Sequence, residues 1–76
     1  MEEIFKMLEE IRPEFDFKNS ENFIEDGLLD SFDVVTLVDM LEEKYKIKID
    51  GLDIVPENFS GAEQIVSLLR KSGAAV

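Results

Sequence analysis

The chain contains no cysteine, no histidine and no tryptophan. Without cysteine it can form neither a disulfide nor a thiolate metal site, and it has no thiol of its own for covalent chemistry. Without histidine it lacks the commonest general base and the commonest transition-metal ligand. A nucleophile paired with a base is therefore hard to assemble, and the expectation is that the protein is not an enzyme. Positive charge is also scarce. Eight Lys and Arg stand against 18 Asp and Glu, a formal net charge of −10 on 76 residues. Such a surface repels nucleic-acid backbones and anionic lipid headgroups, and attracts partners that present basic patches. The same charge also serves solubility alone in many small acidic domains. No apolar run approaches the ~20 residues that span a bilayer, so membrane insertion is not expected. The opening Met1-Glu2-Glu3 is acidic where a signal peptide would be basic, which points to the cytoplasm.

What remains is enough for one domain, residues 1–76, near the lower size limit for folding without disulfides or metals. Its core has to come from compact helical packing, and a monomer is expected. Ile4, Met7, Leu8 and Ile11 recur at helical spacing behind the acidic first turn Glu2-Glu3, which predicts an amphipathic helix ended or bent by Pro13. Residues 14–29 carry no sustained helical stripe but include Phe15, Phe17, Phe23, Ile24, Leu28 and Leu29. A segment that apolar belongs across the core rather than in solvent.

A second helix is predicted from Asp30 as N-cap, with Asp33 at its third position adding negative charge near the positive end of the helix dipole. Val34, Leu37, Val38, Leu41 and Tyr45 form one stripe. Asp39, Glu42 and Glu43 lie on the opposite face, and Lys44 and Lys46 stand at the negative end. The alternation Tyr45-Lys46-Ile47-Lys48-Ile49 resembles a strand, but no second strand pattern exists to pair with it. It reads as an extended connector that buries Ile47 and Ile49. Gly51 punctuates the connector, and residues 53–59 allow at most one short turn or helix, interrupted by Pro56. Ser60-Gly61-Ala62-Glu63 fits a capping box opening a last helix whose stripe is Ala62, Ile65, Val66 and Leu69. Arg70, Lys71 and Gly73 close it, and residues 74–76 are expected to fray. The fold class predicted is all-α, with three main helices and a short helix or turn before the last.

One tripeptide stands out, Asp30-Ser31-Phe32, at the junction of the segment Asp26-Gly27-Leu28-Leu29 and the second stripe. A phosphate ester on a first-turn residue meets unsatisfied backbone N–H groups and the positive end of the dipole, worth roughly 0.3–1 kcal/mol when exposed. Asp and Ser are also common at helix starts of every kind, so the tripeptide alone is compatible with a plain cap. A calcium loop is excluded by spacing. With Gly27 at the sixth position, the first and third ligands would be Asn22 and Ile24, and isoleucine cannot coordinate a hard cation.

Taken with its surroundings, the motif resembles the attachment site of the acyl carrier protein family. The resemblance covers nearly the whole chain: Gly27 three residues before Asp30-Ser31, the run through Glu42-Glu43, the Ile47/Ile49 connector and Ser60 before the last helix. It implies an acyl-carrier-type bundle in which Ser31 bears 4'-phosphopantetheine, installed from coenzyme A by a phosphopantetheinyl transferase, or holo-synthase. The arm would hold acyl or aminoacyl groups as thioesters for ligases and acyl-transferring enzymes with basic docking patches. By the same resemblance Asp30, Asp33, Glu42 and Glu43 match acidic partner contacts, and Phe32 and Val35 match exposed apolar ones. Thr36 and Asp39 depart from the fatty-acid carriers, where an acidic and an apolar residue are usual. Gly27-Leu28-Leu29-Asp30-Ser31-Phe32, with Pro56-Glu57-Asn58-Phe59 further on, is similar to D-alanyl and aminoacyl carriers. Phe23, Leu37, Val38, Leu41, Phe59 and Ile65 are expected to line the space beneath the arm as a filled core with no preformed channel for a long acyl chain, with Phe59 read first as core filling. An unmodified acidic helical interaction domain is the alternative from another class.

Overall fold

The computed structural model describes residues 1–76 as three α-helices joined by long ordered connections, with no strand: α1 (Glu2–Ile11), α2 (Ser31–Tyr45) and α3 (Ala62–Lys71). In α1 the stripe buries Ile4, Met7 and Leu8, with Glu2 and Glu3 in the first turn. The helix stops where Pro13 dictates. The residue before a proline is driven out of the helical region, and Arg12 has turned to φ −136°, ψ 79° while its N–H still donates to the Leu8 carbonyl.

The long segment between α1 and α2 crosses the core as its apolar content predicts. Phe17, Phe23 and Leu29 are buried. Phe17 sits in a single 3₁₀ turn, Phe17–Asn19, and its ring meets that of Phe23 edge to face at 5.2 Å. The Phe23 N–H donates to the Ser60 carbonyl at 2.7 Å, which joins this segment to the approach to α3. Asn22 Oδ1 accepts the N–H groups of Ile24 and Glu25. Gly27, at φ +75°, makes the reversal that a side chain would strain.

Helix α2 buries Val34, Leu37, Val38 and Leu41 along the predicted stripe. It ends on Lys46 in the left-handed conformation, φ 55° and ψ 48°. The connector then runs without regular secondary structure, with Ile47 half-buried and Ile49 buried. The Glu42 carboxylate reaches over to accept the Ile49 N–H at 2.9 Å.

Between the connector and α3 the chain forms two 3₁₀ turns, Gly51–Asp53 and Pro56–Phe59, the second being the one short turn expected over residues 53–59. Pro56 starts the second turn and does not interrupt it. Its missing N–H and fixed φ suit a first helical position, and Val55 before it is extended, as a residue preceding proline must be. Asp50 caps the first turn by accepting the Leu52 N–H at 2.9 Å. Phe59 closes the second turn and is fully buried.

The capping box predicted over residues 60–63 does not form. Ser60 is itself helical, φ −77° and ψ −19°, and completes the preceding turn. Its hydroxyl donates backwards to the Glu57 carbonyl at 2.9 Å. An N-cap side chain works from an extended backbone, and that place belongs to Gly61 at φ −160°, ψ 168°. In α3 Ile65, Leu68 and Leu69 are buried, Leu68 being a core residue that the predicted stripe omits. The tail is also better held than predicted. With Gly73 at φ +101°, the Ala74 N–H donates to the Leu69 carbonyl at 2.9 Å. Ala74 packs on the core, and Arg70 Nε donates to the Val76 carbonyl. This is the reverse turn that satisfies the last carbonyls of a helix.

One apolar cluster unites Ile4 and Leu8 of α1, Leu37 and Leu41 of α2, Ile65 and Leu69 of α3, and Phe23 and Phe59 from the connections. No buried side-chain nitrogen or oxygen lacks a hydrogen-bond partner. No helix is long and apolar enough to cross a membrane.

Candidate functional site around Ser31

The start of α2 is held by a reciprocal pair of bonds. Asp30, in an extended conformation, accepts the Asp33 N–H through Oδ1 at 2.9 Å. Asp33 returns the contact by accepting the Asp30 N–H through Oδ2 at 3.2 Å. Two orphan donors of the first turn are thereby satisfied, with aspartate in the place glutamate usually takes. Arg12 joins the pair from the end of α1. Its Nε donates to Asp33 Oδ2 at 2.9 Å and its terminal nitrogen reaches Asp30 Oδ2 at 3.4 Å. The Asp30 carboxyl is held below the usual carboxylate range, first by the Asp33 N–H that donates to it, with the Arg12 charge adding.

These bonds decide what the predicted site residues can do. Ser31, first residue of α2, is exposed, and because Asp30 does the capping the serine hydroxyl stays outside the cap. Phe32 and Val35 are 77% and 62% exposed, among the exposed large apolar side chains with Leu52 of the Gly51–Asp53 turn at 86%. Asp30 and Glu43 are exposed as well.

Asp33 and Glu42 are placed differently from the surface roles expected of them. Asp33 is only 5% exposed, and its carboxylate is turned inward to Arg12 and the cap. Glu42 is half-buried and committed to the Ile49 N–H. Each carboxylate accepts a partly buried backbone N–H, that of Asp30 for Asp33 and that of Ile49 for Glu42. Thr36, the departure from the fatty-acid carriers, donates its hydroxyl back to the Phe32 carbonyl at 3.1 Å, a common use of threonine inside a helix.

Beside Ser31 lies a shallow apolar groove of about 490 Å³. Ile24 and Leu29 line it from the first connection, Val34 and Val35 from α2, and residues 54–56 from the other side. The six residues expected beneath the arm, Phe23, Leu37, Val38, Leu41, Phe59 and Ile65, do not line this groove, but they form the filled core expected of them, between 0% and 8% exposed. Ile54 and Val55, which do line the groove, are visible in the sequence only as an apolar pair between two punctuating residues. Arg12 carries no sequence signal at all, standing alone between a helix end and a proline.

Comparison of the chain with protein-family models, with curated proteins and with solved structures gave no match.

Proposed function

We propose that this chain is a phosphopantetheine-dependent carrier of the acyl carrier type, with the arm on Ser31. The observation that carries the reading is the exposed first-turn serine, outside its own helix cap and set between exposed Phe32 and Val35 and an apolar groove. The carrier itself catalyses nothing. When bound, the arm supplies the thiol that the chain lacks, and an activated acyl or aminoacyl group is held there as a thioester. The residues present suit a phosphodiester. The free N–H groups of the first turn of α2 favour an anion, and Arg12 offsets the two aspartates that flank the serine.

Tethering raises the concentration of the carried group at a docked enzyme to roughly the millimolar range of short flexible linkers. Partners are the transferase and the enzymes that load and unload the arm. They approach the exposed Phe32 and Val35 with basic residues facing Asp30, Asp39 and Glu43, in the cytoplasm. The packed core and the shallow groove favour a short acyl or amino acid cargo over a long chain, in line with the similarity to aminoacyl carriers.

Incubation with coenzyme A and a phosphopantetheinyl transferase, followed by intact mass measurement, tests the reading. One added phosphopantetheinyl group is expected on this chain and none on Ser31→Ala. An unchanged mass would leave an unmodified acidic interaction domain as the better description.

A further inference from the structure

We propose that Asp53 determines the size of the group this carrier accommodates, by holding in place the part of the groove beside Ser31 that residues 54–56 form. The inference rests on the carrier reading for its biological meaning, but its geometry stands apart. Residues 54–56 form the side of the groove opposite α2, and Asp53, which begins that side, is bonded three ways. Its N–H donates to the Asp50 carbonyl at 2.9 Å. Its carbonyl accepts Asn58 Nδ2 at 2.7 Å. Its Oδ1 accepts Lys71 Nζ, from the last turn of α3, at 2.8 Å.

The three bonds tie the Gly51–Asp53 turn, the Pro56–Phe59 turn and α3 to one residue. The Asp53 side chain is only 19% exposed, although Lys71 reaches it from a largely exposed position. The Lys71 ammonium is pushed above its usual range by the hydrogen bond and charge of Asp53. Phe59, fully buried, anchors the far end of the same stretch.

Leu37 and Leu41 of α2 and Ile65 of α3 already fill the interior next to Phe59. A chain that outgrows the groove is buried further only in space released when residues 54–56 swing away from α2, and otherwise stays at the surface. That movement requires Asp53 to give up its contacts with Asn58 and Lys71. Asp53 acts here as a positioning residue, through the apolar side chains that follow it.

The absence of cysteine makes the test direct. Ser31→Cys places a single thiol at the attachment point, and ethyl, butyl, octyl and dodecyl methanethiosulfonates attach chains of graded length to it. No coenzyme A or transferase is needed, so failure here is distinguishable from failure of Ser31 to accept phosphopantetheine. Melting temperatures are then compared across chain lengths within each protein. With Ser31→Cys alone, no rise is expected beyond the butyl label. With Lys71→Met or Asn58→Ala added, the octyl label should melt about 4–8 °C above the ethyl label, the shift expected for a small domain that gains a modest amount of apolar burial. Lys71→Met changes a largely exposed residue and is expected to keep the fold, which the melting transition of the ethyl-labelled protein checks, so the comparison survives if Asn58→Ala is too unstable to use. A rise with octyl in Ser31→Cys alone, or no rise in either added variant, overturns the proposal.

Discussion

Arg12 and Asp33, 21 residues apart in sequence, meet at 2.9 Å between the end of α1 and the first turn of α2. The contact sets the helix that carries Ser31 against the rest of the bundle. It is not an ordinary surface ion pair, because the Asp33 side chain is 7% exposed while that of Arg12 is 35% exposed. Removal of the arginine leaves a carboxylate in the interior with only the Asp30 N–H for company.

Arg12→Met should therefore destabilise more than the loss of an exposed pair does. An interior acceptor left short of a partner costs about 1–3 kcal/mol, against a median of about 0–1 for surface pairs. Urea unfolding of Arg12→Met, Asp33→Asn and the double variant measures this. The double variant should lose less than the sum of the singles. Strict additivity would show that the two side chains do not interact.

Acid should weaken the cap of α2. The folded Asp30 carboxyl lies below its ordinary value because the Asp33 N–H donates to it, with Arg12 adding. A group depressed on folding contributes stability that is complete above its unfolded pKa, about 3.9, and is lost as pH falls through the folded value. Asparagine caps a helix equally well, so wild type minus Asp30→Asn isolates the ionisation. The difference in unfolding free energy should be constant from pH 7 to about 5 and shrink below about 4. A constant difference down to pH 2 would contradict it.

Attachment should be specific to one serine. Ser31→Ala is expected to accept no phosphopantetheine and to keep its stability within about 0.5 kcal/mol, since the hydroxyl is exposed and takes no part in the cap. Peptide mapping that found the adduct on Ser20, Ser60, Ser67 or Ser72 would reject the assignment.

Docking should divide the acidic residues of α2 by exposure. Glu43→Lys and Asp39→Lys change exposed residues and should slow transferase modification with little effect on melting. Glu42→Ala should lower melting, because the Ile49 N–H loses its acceptor, with a smaller effect on the modification rate. The wild-type rate should fall as ionic strength rises from ~0.01 to ~0.15 M, where the screening length drops from about 30 to 8 Å. Rates indifferent to both salt and Glu43→Lys would mean that the acidic face serves solubility alone.

The helices were legible because their stripes are regular: the period of Val34, Leu37, Val38 and Leu41 leaves one burial pattern, and Pro13 leaves one place for α1 to stop. Side-chain choices between equivalent partners were not. Ser60 looks like a cap until its backbone is seen to be helical. Asp33 and Glu42 look like surface acids until a backbone donor is found beside each. Such outcomes depend on which backbone group the fold strands nearby, and that depends on segments distant in sequence, as with Arg12 and Asp33. The same holds for the groove. The six residues expected beneath the arm were legible as filled core, but that Ile24, Ile54 and Val55 would edge a groove beside Ser31 depended on tertiary packing.

Lys46 in its left-handed conformation ends α2 after fifteen residues, and at 1.5 Å per residue the helix is about 22 Å long. Phe32 and Glu43, eleven residues apart on it, are thus separated by roughly 16 Å along the axis. An enzyme that reads the apolar start and the acidic end together needs its own hydrophobic recess and basic residue at that spacing. A partner with a more compact contact surface can grip one end only. For the carrier proposed above, the length of α2 would be a gauge that sorts partners by reach before any side chain is compared.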